Sequence, residues 1–92
     1  MNKGISLAGY RDINGKFERL PGKRQKTKLD ELLRILSEKF EQGKNYSEAE
    51  VNAILDQHHS FNDPATLRRL LYGTNILDRT RNGRSYWLTS KD

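Results

Sequence analysis

The chain has 92 residues, a length that suits one domain with one hydrophobic core. Its 17 lysines and arginines outnumber its 12 aspartates and glutamates, so the formal net charge is +5. The absence of cysteine excludes disulfides, thiol catalysis and cysteine-based metal sites, and is typical of a reducing compartment. Because no apolar run exceeds three residues, we expect a cytoplasmic protein without a membrane span or signal peptide.

Glycine is concentrated in the amino-terminal segment, where four of the seven glycines lie within the first 22 residues. Asn14 and Gly15 form a dipeptide that favours a type I′ hairpin turn. We therefore predict a short arm or hairpin over residues 1–22 and a folded domain over residues 23–92.

Apolar side chains at helical spacing predict a first helix after the basic run of residues 23–26. The side chains that share one helical face are Leu29, Leu32, Leu33, Leu36 and Phe40. We expect this helix to end at Gly43, since glycine commonly stops a helix. Residues 44–46 then leave room for no more than a bridging strand.

Capping patterns predict where two further helices start. Ser47 followed by Glu50 is a capping box, which starts the second helix at Ser47. Asp63 can cap the third helix, and Pro64 suits its first position because that position needs no N–H. We expect the third helix to run over residues 64–72 and to be closed by the glycine that follows.

A β-hairpin is predicted after the third helix, because residues 76–80 and 84–88 flank a tight turn that contains Asn82 and Gly83. The predicted order is helix, bridging strand, helix, helix and hairpin, with short connections. This order is typical of an α+β winged helix-turn-helix, in which three helices pack on a small sheet and the last hairpin is the wing.

Four runs of residues carry a resemblance to a known family. They are Leu20-Pro21-x-Lys23-Arg24-x-Lys26, Tyr46-Ser47-Glu48-x-Glu50-Val51-Asn52, Asp63-x-x-x-Leu67-Arg68-Arg69-x-Leu71, and Asp78-Arg79 with Tyr86-Trp87. Over roughly residues 10 to 88 the chain resembles the bacterial family known as domain of unknown function 2087. The resemblance implies a winged-helix-like domain, sometimes attached to bacterial helix-turn-helix regulators, with no established ligand or activity.

The third helix supplies the first set of candidate nucleic-acid contacts. If its leucines face the core, Ala65, Arg69 and Tyr72 form the outward face, with Arg68 on its flank. In a helix-turn-helix this face enters the major groove, where an arginine can bind guanine. Alternatively, the two arginines pair with nearby carboxylates, such as that of Glu48, and hold the elements together.

Basic residues of the hairpin and of the run before the first helix supply the remaining candidates. Arg79, Arg81 and Arg84 are predicted on one face of the hairpin, with Asn82 at its tip, where like charges favour an anionic partner. The other candidates are Lys23, Arg24 and Lys26, which could follow a phosphate backbone. In the alternative interpretation both groups are merely solvated.

Two adjacent histidines invite a metal or acid-base interpretation, which the sequence does not favour. Neighbouring residues point about 100° apart on a helix, and no further ligand stands at metal-binding spacing. We predict that His58 faces the core and that His59 faces solvent. No catalytic motif or cofactor fingerprint is present, so we expect no enzyme, cofactor, metal or small-molecule substrate.

The combined prediction is a DNA-binding protein that acts in transcriptional regulation on double-stranded DNA, either as a homodimer or with a protein partner. The alternative is a protein-interaction module that uses the acidic second helix. That helix displays Glu48, Asn52, Asp56 and Gln57. RNA binding is disfavoured, because the predicted exposed aromatic side chains do not form a stacking platform.

Overall fold

A computed structural model describes residue 7 and residues 9–89, with the exception of the Lys23 side chain. A short 3₁₀ turn at Lys23–Gln25 leads into α1 (Lys26–Ser37), which is followed by α2 (Glu48–Asp56) and α3 (Pro64–Gly73). Strands β1 (Leu77–Arg79) and β2 (Tyr86–Leu88) then form an antiparallel hairpin, so the fold is α+β. None of these helices combines the length and apolar character needed to cross a membrane.

The apolar face of α1 is confirmed, but the helix ends earlier than predicted. Leu32, Leu33 and Leu36 are fully buried, whereas the helix stops at Ser37 and does not reach Gly43. The next residues form tighter i to i−3 hydrogen bonds, from Glu38 to Phe40, which close the last turn. Phe40 therefore enters the core from a turn, where it packs edge-on against Tyr46 with ring centroids 5.2 Å apart.

The predicted start of α2 is confirmed by both hydrogen bonds of the capping box. The Ser47 hydroxyl accepts from the Glu50 N–H at 3.1 Å, and the Glu50 carboxylate accepts from the Ser47 N–H at 2.8 Å. Before this cap, Tyr46 forms a bridge with Tyr86, each N–H donating to the other carbonyl at 2.7 Å. The predicted bridging strand is thus present, and it joins the edge of β2.

Helix α3 begins as predicted but ends differently. Asp63 accepts a hydrogen bond from the Thr66 N–H at 3.2 Å, and Pro64 is the first helical residue. Gly73 lies within the helix instead of closing it, and the left-handed conformation occurs at Asn75, with φ of 64°. The helix therefore includes the glycine that was expected to follow its last residue, and it ends one residue later than predicted.

The hairpin has shorter strands and a longer loop than predicted. Its register pairs Leu77 with Leu88 and Arg79 with Tyr86, which retains the predicted centre between residues 82 and 83. The turn is closed by hydrogen bonds of Thr80, which accepts from the Gly83 N–H and donates to the Ser85 carbonyl, both at 2.9 Å. Residues 81–84 form the loop, so only three residues of each strand pair regularly.

Part of the amino-terminal segment packs into the core. Arg11 and Phe17 pair across a turn in which Gly15 has φ of 82°, while Ile13 at the tip is 99% exposed. Phe17 is only 2% exposed, and its backbone bonds to the His58 carbonyl at 2.9 Å and the Ser60 N–H at 2.8 Å. Residues 11–17 are thereby attached to the segment that joins α2 to α3. Residues 1–6 and 8 of the predicted arm lie outside the described residues.

The prediction for the two histidines is wrong. His59 is 3% exposed, whereas His58 is half-buried. Helix α2 ends at Asp56, so helical spacing no longer determines which of the two faces inward. The His59 ring lies 2.7 Å from the Leu55 carbonyl through Nδ1, and its Nε2 accepts from the Asp63 N–H at 2.9 Å.

Candidate nucleic-acid interface

A groove of about 270 Å³ lies between the start of α2, the outer side of α3 and the hairpin. We call it the basic groove. Its lining consists of Glu48, Arg68, Arg69, Tyr72, Arg79, Asn82, Gly83 and Tyr86. Five of these side chains were predicted as nucleic-acid contacts, and they come from two separate parts of the sequence. The fold therefore brings the third-helix candidates and part of the hairpin candidates together.

Arg68 forms one wall of the basic groove and is held by α2. Its side chain is 12% exposed, and its Nη1 donates to the Asn52 side-chain oxygen at 2.5 Å. Its Nη2 lies 3.8 Å from the Glu48 carboxylate. Arg68 thus makes the ion pair with Glu48 that the alternative interpretation predicted. The guanidinium connects α3 to α2 and is less available to a ligand than its neighbour in sequence.

Arg69 is exposed on the outward side of α3. It makes no ion pair within the described part of the chain. Hydrogen bonds from Thr66 lower the pKa of the Asp63 carboxyl, and the positive charge of Arg69 contributes to the same shift. The guanidinium of Arg69 thus lines the basic groove with a positive charge that interacts with the Asp63 carboxylate but forms no ion pair with it.

Arg79 and Tyr72 connect the hairpin to α3 across the basic groove. The guanidinium carbon of Arg79 lies 4.6 Å from the centroid of the Tyr72 ring, which is a cation–π arrangement. Arg79 also lies opposite Tyr86 in the hairpin register, so the two side chains share one face. This contact places the Arg79 guanidinium beside the Tyr72 ring, and both residues line the groove.

Asn82 shapes the loop of the hairpin. Its side-chain oxygen accepts from the Thr80 hydroxyl at 2.8 Å and from the Arg84 N–H at 3.0 Å. Arg81 and Arg84 are exposed in this loop, and neither belongs to the groove lining. Since the loop has four residues, strand alternation does not determine the direction of these two arginines. They flank the groove as additional positive charges.

Three of the remaining predicted contacts, Ala65, Arg24 and Lys26, lie outside the groove lining. Ala65 is half-buried on α3, and Arg24 is exposed in the 3₁₀ turn. Lys26, the first residue of α1, forms an exposed ion pair with Asp30 at 3.2 Å. Lys23 lies in the same 3₁₀ turn, and its side chain is outside the described part of the chain. Arg24 and Lys26 are thus not part of the basic groove.

Three residues of the groove lining were not predicted as nucleic-acid contacts: Glu48, Gly83 and Tyr86. Tyr86 is only 4% exposed, yet its hydroxyl has no hydrogen-bond partner among the described residues. The hairpin register contained the signal for it, because a turn centred between residues 82 and 83 pairs Arg79 with Tyr86. A tyrosine beside an arginine on a strand face is a candidate for the same site.

A larger cavity, of about 700 Å³, lies between the end of α1 and the end of the hairpin. Its lining combines the apolar side chains of Phe40, Ile76 and Leu88 with polar and charged ones. It contains none of the predicted nucleic-acid contacts. Of the residues the structure describes, no three histidine, aspartate or glutamate side chains are grouped so that they could hold a metal ion.

Comparison with known proteins identifies a family. No curated protein and no solved structure matches this chain. Residues 16–88 match the family described as "Uncharacterized protein conserved in bacteria (DUF2087)". The matched region includes every residue of the basic groove, all three α-helices and the hairpin. The chain therefore belongs to the bacterial DUF2087 family, as its sequence motifs suggested.

Proposed function

We propose that this protein binds double-stranded DNA and acts in transcriptional regulation, as a binding protein without a catalytic role. One observation carries the proposal: the fold places Arg69 of α3 and Arg79 of the hairpin in a single groove, where neither forms an ion pair with a carboxylate of residues 9–89. Arginine binds guanine edges and phosphates through a planar fork of donors, and a DNA duplex presents both.

The arrangement of elements supports a winged helix-turn-helix as the architecture behind this function. The bridge between Tyr46 and Tyr86 adds a third short strand segment to the hairpin. In such a fold the helix before the hairpin is the recognition helix, and the hairpin is the wing. On that basis α3 enters the major groove with Arg69 at its centre.

The loop of the hairpin supplies the contacts to the DNA backbone. Arg81 and Arg84 are exposed, and neither forms an ion pair in the described part of the chain. Exposed arginines neutralise phosphates and release counterions, which makes binding dependent on salt. A single small domain reaches few phosphates, so non-specific Kd values of about 10⁻⁴ to 10⁻⁶ M are expected. Sequence-specific binding then requires a second copy of the chain or a protein partner.

The alternative function, a protein-interaction module acting through α2, has less support. Glu48 and Asn52, two of the four polar side chains of its predicted surface, face Arg68 within the molecule. Asp56 and Gln57 remain exposed. A substitution of Asp56 by lysine tests this surface directly, because it should weaken capture of a partner and leave DNA binding intact.

The proposal can be tested by NMR titration of the amides with a random-sequence duplex of about 15 base pairs, at low and at moderate salt. We expect shifts over residues 64–72 and 79–84 that decrease as salt is added. Arg69→Glu and Arg81→Glu should abolish these shifts. Lys39→Glu, the same charge change at an exposed position outside the basic groove, should retain most of the binding. Absence of any shift at low salt would contradict the proposal.

A further inference from the structure

The hydroxyl of Tyr86 is a polar group that the fold itself leaves without a partner. The side chain is 4% exposed, and its ring lies in the core beneath the hairpin. No buried polar side-chain atom among the described residues lacks a hydrogen-bond partner, so this unpartnered hydroxyl is a part of Tyr86 that reaches the surface of the groove, where a ligand or water can bond to it. Within the described residues no protein atom accepts or donates a hydrogen bond at this oxygen, and Tyr86 belongs to the lining of the basic groove.

Gly83 creates the space in front of this hydroxyl. A Cβ atom at Gly83 would lie 3.8 Å from the Tyr86 hydroxyl and 3.1 Å from Nη1 of Arg79. The φ of 72° at Gly83 also favours glycine over any residue with a side chain. The hydroxyl and the guanidinium therefore converge on one small corner of the groove, which a larger residue at position 83 would fill.

The charges around this corner favour an anion. Arg79 lies beside the Tyr72 ring, and Arg69 adds a second guanidinium to the groove. The carboxylate in the lining, that of Glu48, lies beside Arg68 at 3.8 Å and offsets that third arginine. A guanidinium fork together with a hydroxyl donor matches the oxygens of a phosphate group, since charge-assisted hydrogen bonds are the strong ones.

We propose that this corner of the basic groove binds one phosphate group, with Arg79 and Tyr86 donating hydrogen bonds to its oxygens. Arg69 supplies further positive charge from α3. The inference rests on the proposed function in so far as the phosphate belongs to a DNA backbone. A free phosphate offers the same chemistry, and the experiment separates these two sources.

The test uses Tyr86→Phe, which removes the hydroxyl and retains the ring, with Tyr46→Phe as the matched control. The Tyr46 hydroxyl accepts from the Glu41 N–H at 2.8 Å and is not part of the basic groove. Each full-length protein is titrated with a fluorescent duplex of about 15 base pairs and, separately, with inorganic phosphate at constant ionic strength. Amide shifts of residues 79, 83 and 86 report occupancy of the corner.

We expect Tyr86→Phe to weaken duplex binding about tenfold, because it removes one charge-assisted hydrogen bond to the phosphate. Tyr46→Phe should change duplex binding less than about twofold, because it removes no such bond. Arg79→Lys is the second variant. It retains the charge but loses the planar fork, and it should weaken binding to a similar extent. Thermal melting establishes that each variant is folded before its affinity is compared.

The outcomes distinguish the inference from the proposed function. Duplex binding that depends on the Tyr86 hydroxyl, without a response to inorganic phosphate, identifies the ligand as a backbone phosphate. A response to inorganic phosphate alone supports the phosphate site and overturns DNA binding. Duplex binding that is unchanged in folded Tyr86→Phe and Arg79→Lys overturns the phosphate site and leaves DNA binding standing. Binding of neither ligand by the unsubstituted protein overturns both.

Discussion

The buried ring of His59 accepts a hydrogen bond from the backbone N–H of Asp63, with Nε2 and nitrogen 2.9 Å apart. The other ring nitrogen lies 2.7 Å from the carbonyl oxygen of Leu55 near the end of α2. The acceptor role of Nε2 and the contact of Nδ1 with a carbonyl define the neutral tautomer with its proton on Nδ1. One side chain thereby ties the end of α2 to the cap of α3 and sets the turn that presents α3.

Replacing His59 is expected to lower the free energy of unfolding more than replacing its neighbour His58. His59→Ala should lower the free energy of unfolding by about 2–4 kcal/mol, because it leaves a cavity and removes both hydrogen bonds from the turn. His58→Ala, at a half-buried position, should cost less than about 1 kcal/mol. Urea denaturation of the two variants measures the difference. Equal losses would show that the ring of His59 is not the connection between the helices.

The amino-terminal turn is expected to contribute to stability through Phe17. Phe17→Ala should lower the free energy of unfolding by about 3–5 kcal/mol, the usual cost of removing a buried phenylalanine. Ile13→Ala serves as the control, because Ile13 is an apolar residue of the same turn that is almost fully exposed. Its stability should be nearly unchanged. Similar values for both variants would show that residues 11–17 do not belong to the cooperative unit.

Arg68 and Arg69 are adjacent in sequence, but we expect Arg68 to contribute to stability and Arg69 to contribute to duplex binding. Arg68→Ala should lower the free energy of unfolding by about 1 kcal/mol, because it removes the hydrogen bond to Asn52 and the packing of the side chain. Arg69→Ala should leave stability nearly unchanged and weaken duplex binding. Thermal melts and duplex titrations of both variants provide the comparison. A larger loss of stability in Arg69→Ala would contradict these assignments.

The cap of α3 predicts a specific acid sensitivity. The Thr66 hydroxyl and N–H donate hydrogen bonds to Asp63 and lower the pKa of its carboxyl. A carboxyl whose pKa is lower in the folded protein stabilises the fold at pH values above its unfolded-state pKa of about 3.9. This stabilisation is lost as the pH falls through the folded-state pKa. Asp63→Asn should therefore flatten the pH dependence of stability below about pH 4.

Thr66→Val provides the companion variant for this measurement. It removes the hydroxyl donor and leaves the backbone N–H, so the acid sensitivity should be intermediate between those of the natural chain and Asp63→Asn. Denaturation midpoints recorded from neutral to acidic pH give all three slopes. If the three proteins had the same slope, the cap would not be the source of the effect.

His58, which lies next to the amino-terminal turn, is expected to give the stability a second dependence on pH. Burial lowers the pKa of His58, and the nearby charges of Lys39, Lys16 and Arg11 lower it further. The unfolded chain therefore binds a proton more readily, so stability should decline as pH falls below the unfolded value of about 6.5. His58→Gln should remove this decline between neutral pH and about pH 5. An unchanged slope in that variant would assign the decline to other groups.

Local signals in the sequence predicted the starts of α2 and α3 correctly. The capping box of Ser47 with Glu50, and the cap of Asp63 before Pro64, join residues no more than three apart. Their hydrogen bonds form within one helical turn and do not depend on the rest of the fold. The register of the hairpin was predictable for the same reason, since a tight turn determines which strand residues face each other.

The sequence by itself determined the element order, the apolar face of α1 and the basic residues that line the groove. Only the tertiary structure decided that His59 and not His58 is buried, and that Phe17 belongs to the core. It also decided that Arg68 bonds to side chains of α2, whereas Arg69 forms no ion pair within residues 9–89. Helical periodicity ends where the helix ends, so it gives no information about side chains in turns. Those side chains are placed by contacts between residues distant in sequence, which depend on how the helices and the hairpin pack together.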